Sequence, residues 1–95
     1  MQPDRAEAIT TLLLRAEEAH ATFEATELGG VYDAEWAQWY AGHAIEHGIA
    51  DLLGHAVAVE DVARFLASTF AEFEQARPPG TTWAAFIAER MVLEL

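Results

Sequence analysis

Between Ile9 and Phe23 the apolar residues Ile9, Leu12, Leu13, Ala16 and Phe23 return at steps of three and four, with His20 on the same stripe. Polar residues fill the opposite side. That is the period of an α-helix with one buried face. The spacing predicts a helix over about 4–27, opened by Asp4 as N-cap and stopped at Leu28-Gly29-Gly30. A second helix is expected over about 34–53, capped by Asp33 and ended by Gly54. A third, over about 59–76, places Val62, Phe65, Leu66, Thr69, Phe70 and Phe73 on one face. Its first turn holds Glu60 and Asp61, which suit the positive end of the helix dipole. Arg77-Pro78-Pro79-Gly80 then breaks the chain, and a fourth helix over about 83–94 carries Phe86, Ile87 and Met91 behind Thr81 or Thr82 as cap. No stretch alternates with period two. The expectation is an all-α chain, a single helical domain over 1–95 folded as a small four-helix bundle.

The second segment differs from the others. Trp36, Trp39, Tyr40, His43, His47 and Ala50 make one helical stripe, and Ala34, Ala37, Ala41, Ala44 and Gly48 a second of small residues. Gly42, Ile45, Ile49 and Leu52 add a third apolar side. A helix apolar almost all round is covered on most sides. Gly42 and Gly48 would each cost about 1 kcal/mol relative to Ala inside a helix, which implies close packing there. Three other short helices leave much to cover, so the pattern predicts a homodimer in which a second subunit completes the burial.

Charge removes several functions. The 95-residue chain has a formal net charge of −11, and its five basic residues, Arg5, Arg15, Arg64, Arg77 and Arg90, are scattered. Nucleic-acid binding needs a basic patch, and none can be assembled; an anionic membrane surface would repel the chain as well. No segment reads as membrane-spanning. The start, MQPDRAEAITTLLLRAEE, lacks the basic opening and apolar run of a secretory signal, so the expected location is the cytoplasm. With no cysteine and no lysine there is no thiol nucleophile, thiolate metal site or Schiff base, and Ser68, the only serine, falls in mid-helix.

The remaining chemistry centres on histidines and aromatics. His43-Ala44-Ile45-Glu46-His47 matches the H-x-x-E-H pattern, in which two histidines one turn apart grip a divalent metal and the glutamate activates its water. Glu17 and His20 form one E-x-x-H, half of a bundle di-iron signature. A metal reading therefore pools His43, His47, His20 and Glu46. Against it stands a packing reading. His43 and His47 then line a seam between helices and bond to Glu46, Asp51 or a tyrosine, and His20 bonds to a carboxylate. Tyr32, Trp36, Tyr40, His43 and His47 form the candidate ligand-binding set, because polar-tipped rings suit a small-molecule pocket. Aromatics at helical spacing also serve as core. Tyr32 follows two glycines and is expected to be partly exposed. The weight of these features favours a binding or accessory module over an enzyme, with a metal-dependent protein as the alternative.

The run Glu27-Leu28-Gly29-Gly30-Val31-Tyr32-Asp33, followed by Trp36, Trp39-Tyr40-Ala41 and His47-Gly48, resembles a signature of small bacterial all-helical proteins of unassigned function. The resemblance covers about a quarter of the chain. It implies a compact helical protein and no particular activity. Ala37 stands where those proteins tend to carry proline, a difference the first turn of a helix tolerates.

Overall fold

The stripe read from Ile9 onward does face inward: Ile9, Leu12, Leu13, Ala16 and His20 are buried along α1 (Arg5–Glu27) in the computed structural model, which describes residues 4–95. Four further helices follow, α2 (Trp36–Glu46), α3 (Ile49–Leu53), α4 (Val59–Ala76) and α5 (Trp83–Glu94), and no strand occurs among the described residues. Four of the five are substantial. At 1.5 Å per residue the 23 residues of α1 span about 35 Å, most of the 41 Å long dimension of the molecule.

The expected second helix is two helices. Gly48 sits at φ +96°, in the left-handed region, so the right-handed helix cannot run through it. Glycine takes that conformation without steric penalty. The His47 N–H bonds back to the carbonyls of His43 and Ala44 (3.0 and 3.2 Å), which closes the last turn of α2 before the chain swings into α3. The close approach expected at Gly42 and Gly48 is not there, since nothing lies within 4 Å of a Cβ built at either position. Gly48 is explained by the bend it makes, not by packing.

Two of the expected caps also differ. The Asp4 side chain makes no capping bond, although its carbonyl accepts the first helical N–H, from Ala8, at 2.9 Å. Asp33 lies two positions before the N-cap of α2, Glu35. Its Oδ1 accepts the Glu35 N–H at 2.9 Å in an Asx-type turn, and the helix starts only at Trp36. Thr82 caps α5 as expected, its Oγ1 accepting the Ala85 N–H at 3.1 Å.

The four long helices form a closed ring of neighbours: α1 lies against α5 and α2, while α4 lies against α2 and α5. Ile9 and Leu13 of α1, Ile49 of α3, Leu66 of α4, and Ile87 and Met91 of α5 are fully buried between them. The short α3 adds contacts to α1 and α2. Cover for α2 comes from within the chain, where α1 and α4 bury Tyr40, Ala41 and Ala44 and leave Gln38 and Glu46 exposed. The need for a second subunit to surround this segment therefore falls away. The break at Gly48 halves the length that has to be covered.

Candidate functional site

Four aromatic rings meet where the helix ring closes. Trp36 and Tyr40 come from α2, Phe70 from α4 and Trp83 from α5. Their centroids form a closed four-sided circuit. Trp36 to Tyr40 is 5.8 Å, Tyr40 to Trp83 5.9 Å, Trp83 to Phe70 6.4 Å and Phe70 to Trp36 5.3 Å. Neighbouring ring planes stand at 67–89°, the edge-to-face arrangement that aromatic quadrupoles favour. All four line one pocket of about 310 Å³, within the size range of small-molecule sites. Glu17, His20 and Glu24 of α1 and Tyr32 of the α1–α2 loop complete the wall. Among the described residues no aliphatic side chain lines it.

Each element delivers its residue for a local reason. Thr82 caps α5 and so sets the direction in which Trp83 leaves its first turn. The Trp83 Nε1–H then donates to Glu17 Oε2 at 2.8 Å, tying α5 to α1 at the pocket wall. Gly29 and Gly30, at φ +62° and +85°, turn the chain after α1 so that Tyr32 and Asp33 return over it. The Asp33 N–H donates to Glu24 Oε2 (3.1 Å). Tyr32, 73% exposed, stands at the rim as expected.

His20 is buried, 7% exposed, and its Nε2–H donates to Asp33 Oδ2 at 2.9 Å. Its Nδ1 lies 3.8 Å from Glu24 Oε1. The ring is walled by Trp39 and Tyr40, with centroids 4.9 and 5.0 Å away. The hydrogen bond to His20 holds the Asp33 carboxyl below its ordinary range, outweighing a partial burial that acts the other way. Burial, reinforced by the negative charges of Glu17 and Glu24, pushes the Tyr40 phenol up to about 12.

The candidate ligand-binding set is split by the fold. Tyr32, Trp36 and Tyr40 line the aromatic pocket; His43 and His47 face a separate, smaller cleft with Ala8, Thr11, Leu12, Arg15 and Leu52. Their rings stack face to face at 3.9 Å, and His43 stacks in turn on Trp39 at 5.2 Å. His47 is exposed rather than turned toward protein. Its Nδ1–H donates to the His43 carbonyl (2.8 Å), which also accepts the His47 backbone N–H, and not to Glu46, Asp51 or a tyrosine. Burial keeps the His43 imidazole below its ordinary value, helped by repulsion from His47 and opposed by Glu46.

The pooled metal residues do not converge. His20 is held by Asp33, with Trp39 between it and His43, and Glu46 is exposed. Among the described residues no three His, Asp or Glu side chains gather to hold a metal ion. The two ends of the E-x-x-H pair likewise serve different partners, Trp83 for Glu17 and Asp33 for His20. Ser68 is exposed on α4 and shares a groove with His55, whose Nε2 and Nδ1 lie 2.9 and 3.1 Å from the carbonyls of Leu95 and Ala56. Among the described residues no hydrogen bond joins Ser68 to either nitrogen.

Phe70, Trp83, Glu17 and Glu24 were not among the ligand-binding residues expected from the sequence. Spacing along one helix reports which residues share its face, not which faces meet across a bundle. The one available signal was the half-polar character of Trp83 directly behind a capping threonine. No described helix is long and apolar enough to cross a membrane. Compared with protein-family models, with curated proteins and with solved structures, the chain matches none.

Proposed function

We propose that the chain is a cytoplasmic, homodimeric binding module whose ligand is a small molecule seated among Trp36, Tyr40, Phe70 and Trp83. The observation that carries this is that four rings in mutual contact, drawn from three helices, line one pocket. Hydrogen bonds from Trp83 to Glu17 and from Asp33 to Glu24 fix the polar wall before any ligand arrives, which lowers the ordering cost of binding.

Homodimerisation belongs to the same proposal on a new footing. Leu14, Val92 and Leu93 are large apolar side chains left exposed on α1 and α5, helices that already lie side by side. The run Glu27 to Asp33, which carries the resemblance to small bacterial helical proteins, also delivers Tyr32 and Asp33 to the pocket. Chains sharing that run and its tryptophans are expected to share the pocket.

The test is a panel of small aromatic, aliphatic, cationic and anionic compounds, read by thermal shift and by the indole N–H resonances. At a hundredfold excess over Kd a ligand adds about 2.7 kcal/mol of stability. At least one class of compound is expected to raise Tm and to move the Trp83 indole signal, since that N–H bonds to the pocket wall. A panel that leaves both unchanged, or moves only residues of the His43–His47 cleft, refutes the proposal.

A further inference from the structure

We infer that the pocket takes a small organic cation, an ammonium bearing methyl or short alkyl groups, held by the rings of Trp36, Tyr40, Phe70 and Trp83 and by the carboxylates of Glu17 and Glu24. The inference rests on the ligand-pocket reading above and adds the sign and chemical class of the occupant.

The composition of the wall is the first argument. The buried aliphatic residues of this chain, Ile9, Leu13, Leu66, Ile87 and Met91 among them, lie elsewhere in the core. An apolar ligand would be served as well by such residues as by rings. What rings add is a negative π-face, which attracts a cation within about 6 Å of the centroid. All four rings line the same pocket, so a cation seated in it lies against an aromatic wall.

Charge is the second. Glu17 and Glu24 line the pocket and, among the described residues, no arginine does. His20 is the basic group on the wall; Asp33 faces its Nε2 at 2.9 Å and Glu24 its Nδ1 at the longer distance of 3.8 Å. An anionic ligand would meet two carboxylates, and a neutral one would displace their water without replacing it. A cation compensates for both. Each glutamate is held by one oxygen only at hydrogen-bond distance, Oε2 in both cases, by Trp83 and by the Asp33 backbone. The net charge of −11 acts in the same direction at longer range.

Alkyl substitution follows from the balance between the two kinds of wall. Bare ammonium is strongly hydrated and needs hydrogen-bond acceptors all round it, whereas methyl groups pack against ring faces and spread the charge. Four rings and two carboxylates fit the second kind of ion.

The test compares choline with 3,3-dimethylbutan-1-ol, which has the same shape without the charge, using calorimetry and tryptophan emission. Choline is expected to bind at least about tenfold more tightly, a difference equivalent to 1.4 kcal/mol. The Glu17→Gln variant keeps an acceptor for the Trp83 N–H and removes the charge. It is expected to narrow the gap by weakening choline alone, with Tm of the free protein recorded to establish that the variant folds. Equal affinities for choline and the alcohol overturn the cation inference and leave the ligand-pocket reading standing. Binding of neither by the folded wild-type protein overturns it as well, and the pocket reading then stands or falls on the wider compound panel. A preference for choline that Glu17→Gln and Glu24→Gln both leave unchanged overturns the role of the carboxylates.

Discussion

Gly48 and Gly42 lie six positions apart in one stretch that reads as a continuous helix, yet replacing each with alanine is expected to move stability in opposite directions. Gly42 is inside α2 with open space where a Cβ would lie, so Gly42→Ala should gain the helix preference of alanine, about 0.5–1 kcal/mol. Gly48 has the same open surroundings, which removes steric overlap from the comparison, but its φ is +96°. An L-residue in the left-handed region costs about 1–2 kcal/mol. The stiffer unfolded chain offsets about 0.4–1 kcal/mol of this. Gly48→Ala should therefore destabilise by about 1 kcal/mol, and Tm should fall by roughly 4–8 °C for a domain of this size. Asparagine tolerates positive φ better than alanine, so Gly48→Asn should lose less. Urea unfolding gives the measurement directly, as a change in midpoint at constant slope. If Gly48→Ala raises the midpoint as Gly42→Ala does, the helix runs through position 48 and the separation of α2 from α3 is wrong. The consequence for the site would be large, because a continuous helix would turn His47 and everything after it to new positions.

Two further outcomes are expected. The folded-state ionisation of Asp33 lies below its ordinary value near 3.8, chiefly through the bond to His20. Its contribution is present above the ordinary carboxylate range and is lost as pH falls through the lower folded value, so stability measured against pH should decline more steeply in the wild type than in Asp33→Asn; parallel acid limbs would contradict this. Sedimentation at micromolar concentration should give twice the chain mass, with Leu93→Glu returning it to the monomer, since Leu93 is 80% exposed on α5; a monomeric wild type would remove the homodimer.

The helical class, the buried residues of α1 and the larger buried residues of α4 and α5 were legible from spacing, because a 3.6-residue period is a local property that one buried face imprints on each segment; the buried alanines Ala63, Ala84 and Ala88 were not. Thr82 was legible for the same reason: a cap acts over three residues. Gly48 was not, since glycine suits a tightly packed helix interior and a left-handed bend equally well, and only the docking of α3 against α1 and α2 selects the bend. The histidines show the same limit. His43 and His47 sit one turn apart as the sequence implied, but the tertiary structure decided that His47 faces water and bonds to a carbonyl. His20 was expected to meet a carboxylate, and the loop after α1 decided that it is Asp33.

Aromatic character and acidity were plain in the sequence; the pocket that combines them was not. Glu17 and Trp83 are 66 positions apart, and Trp36 meets Phe70 across two helices. Such meetings depend on which helix faces close the ring, a choice made by the summed packing of the whole bundle and written in no single segment.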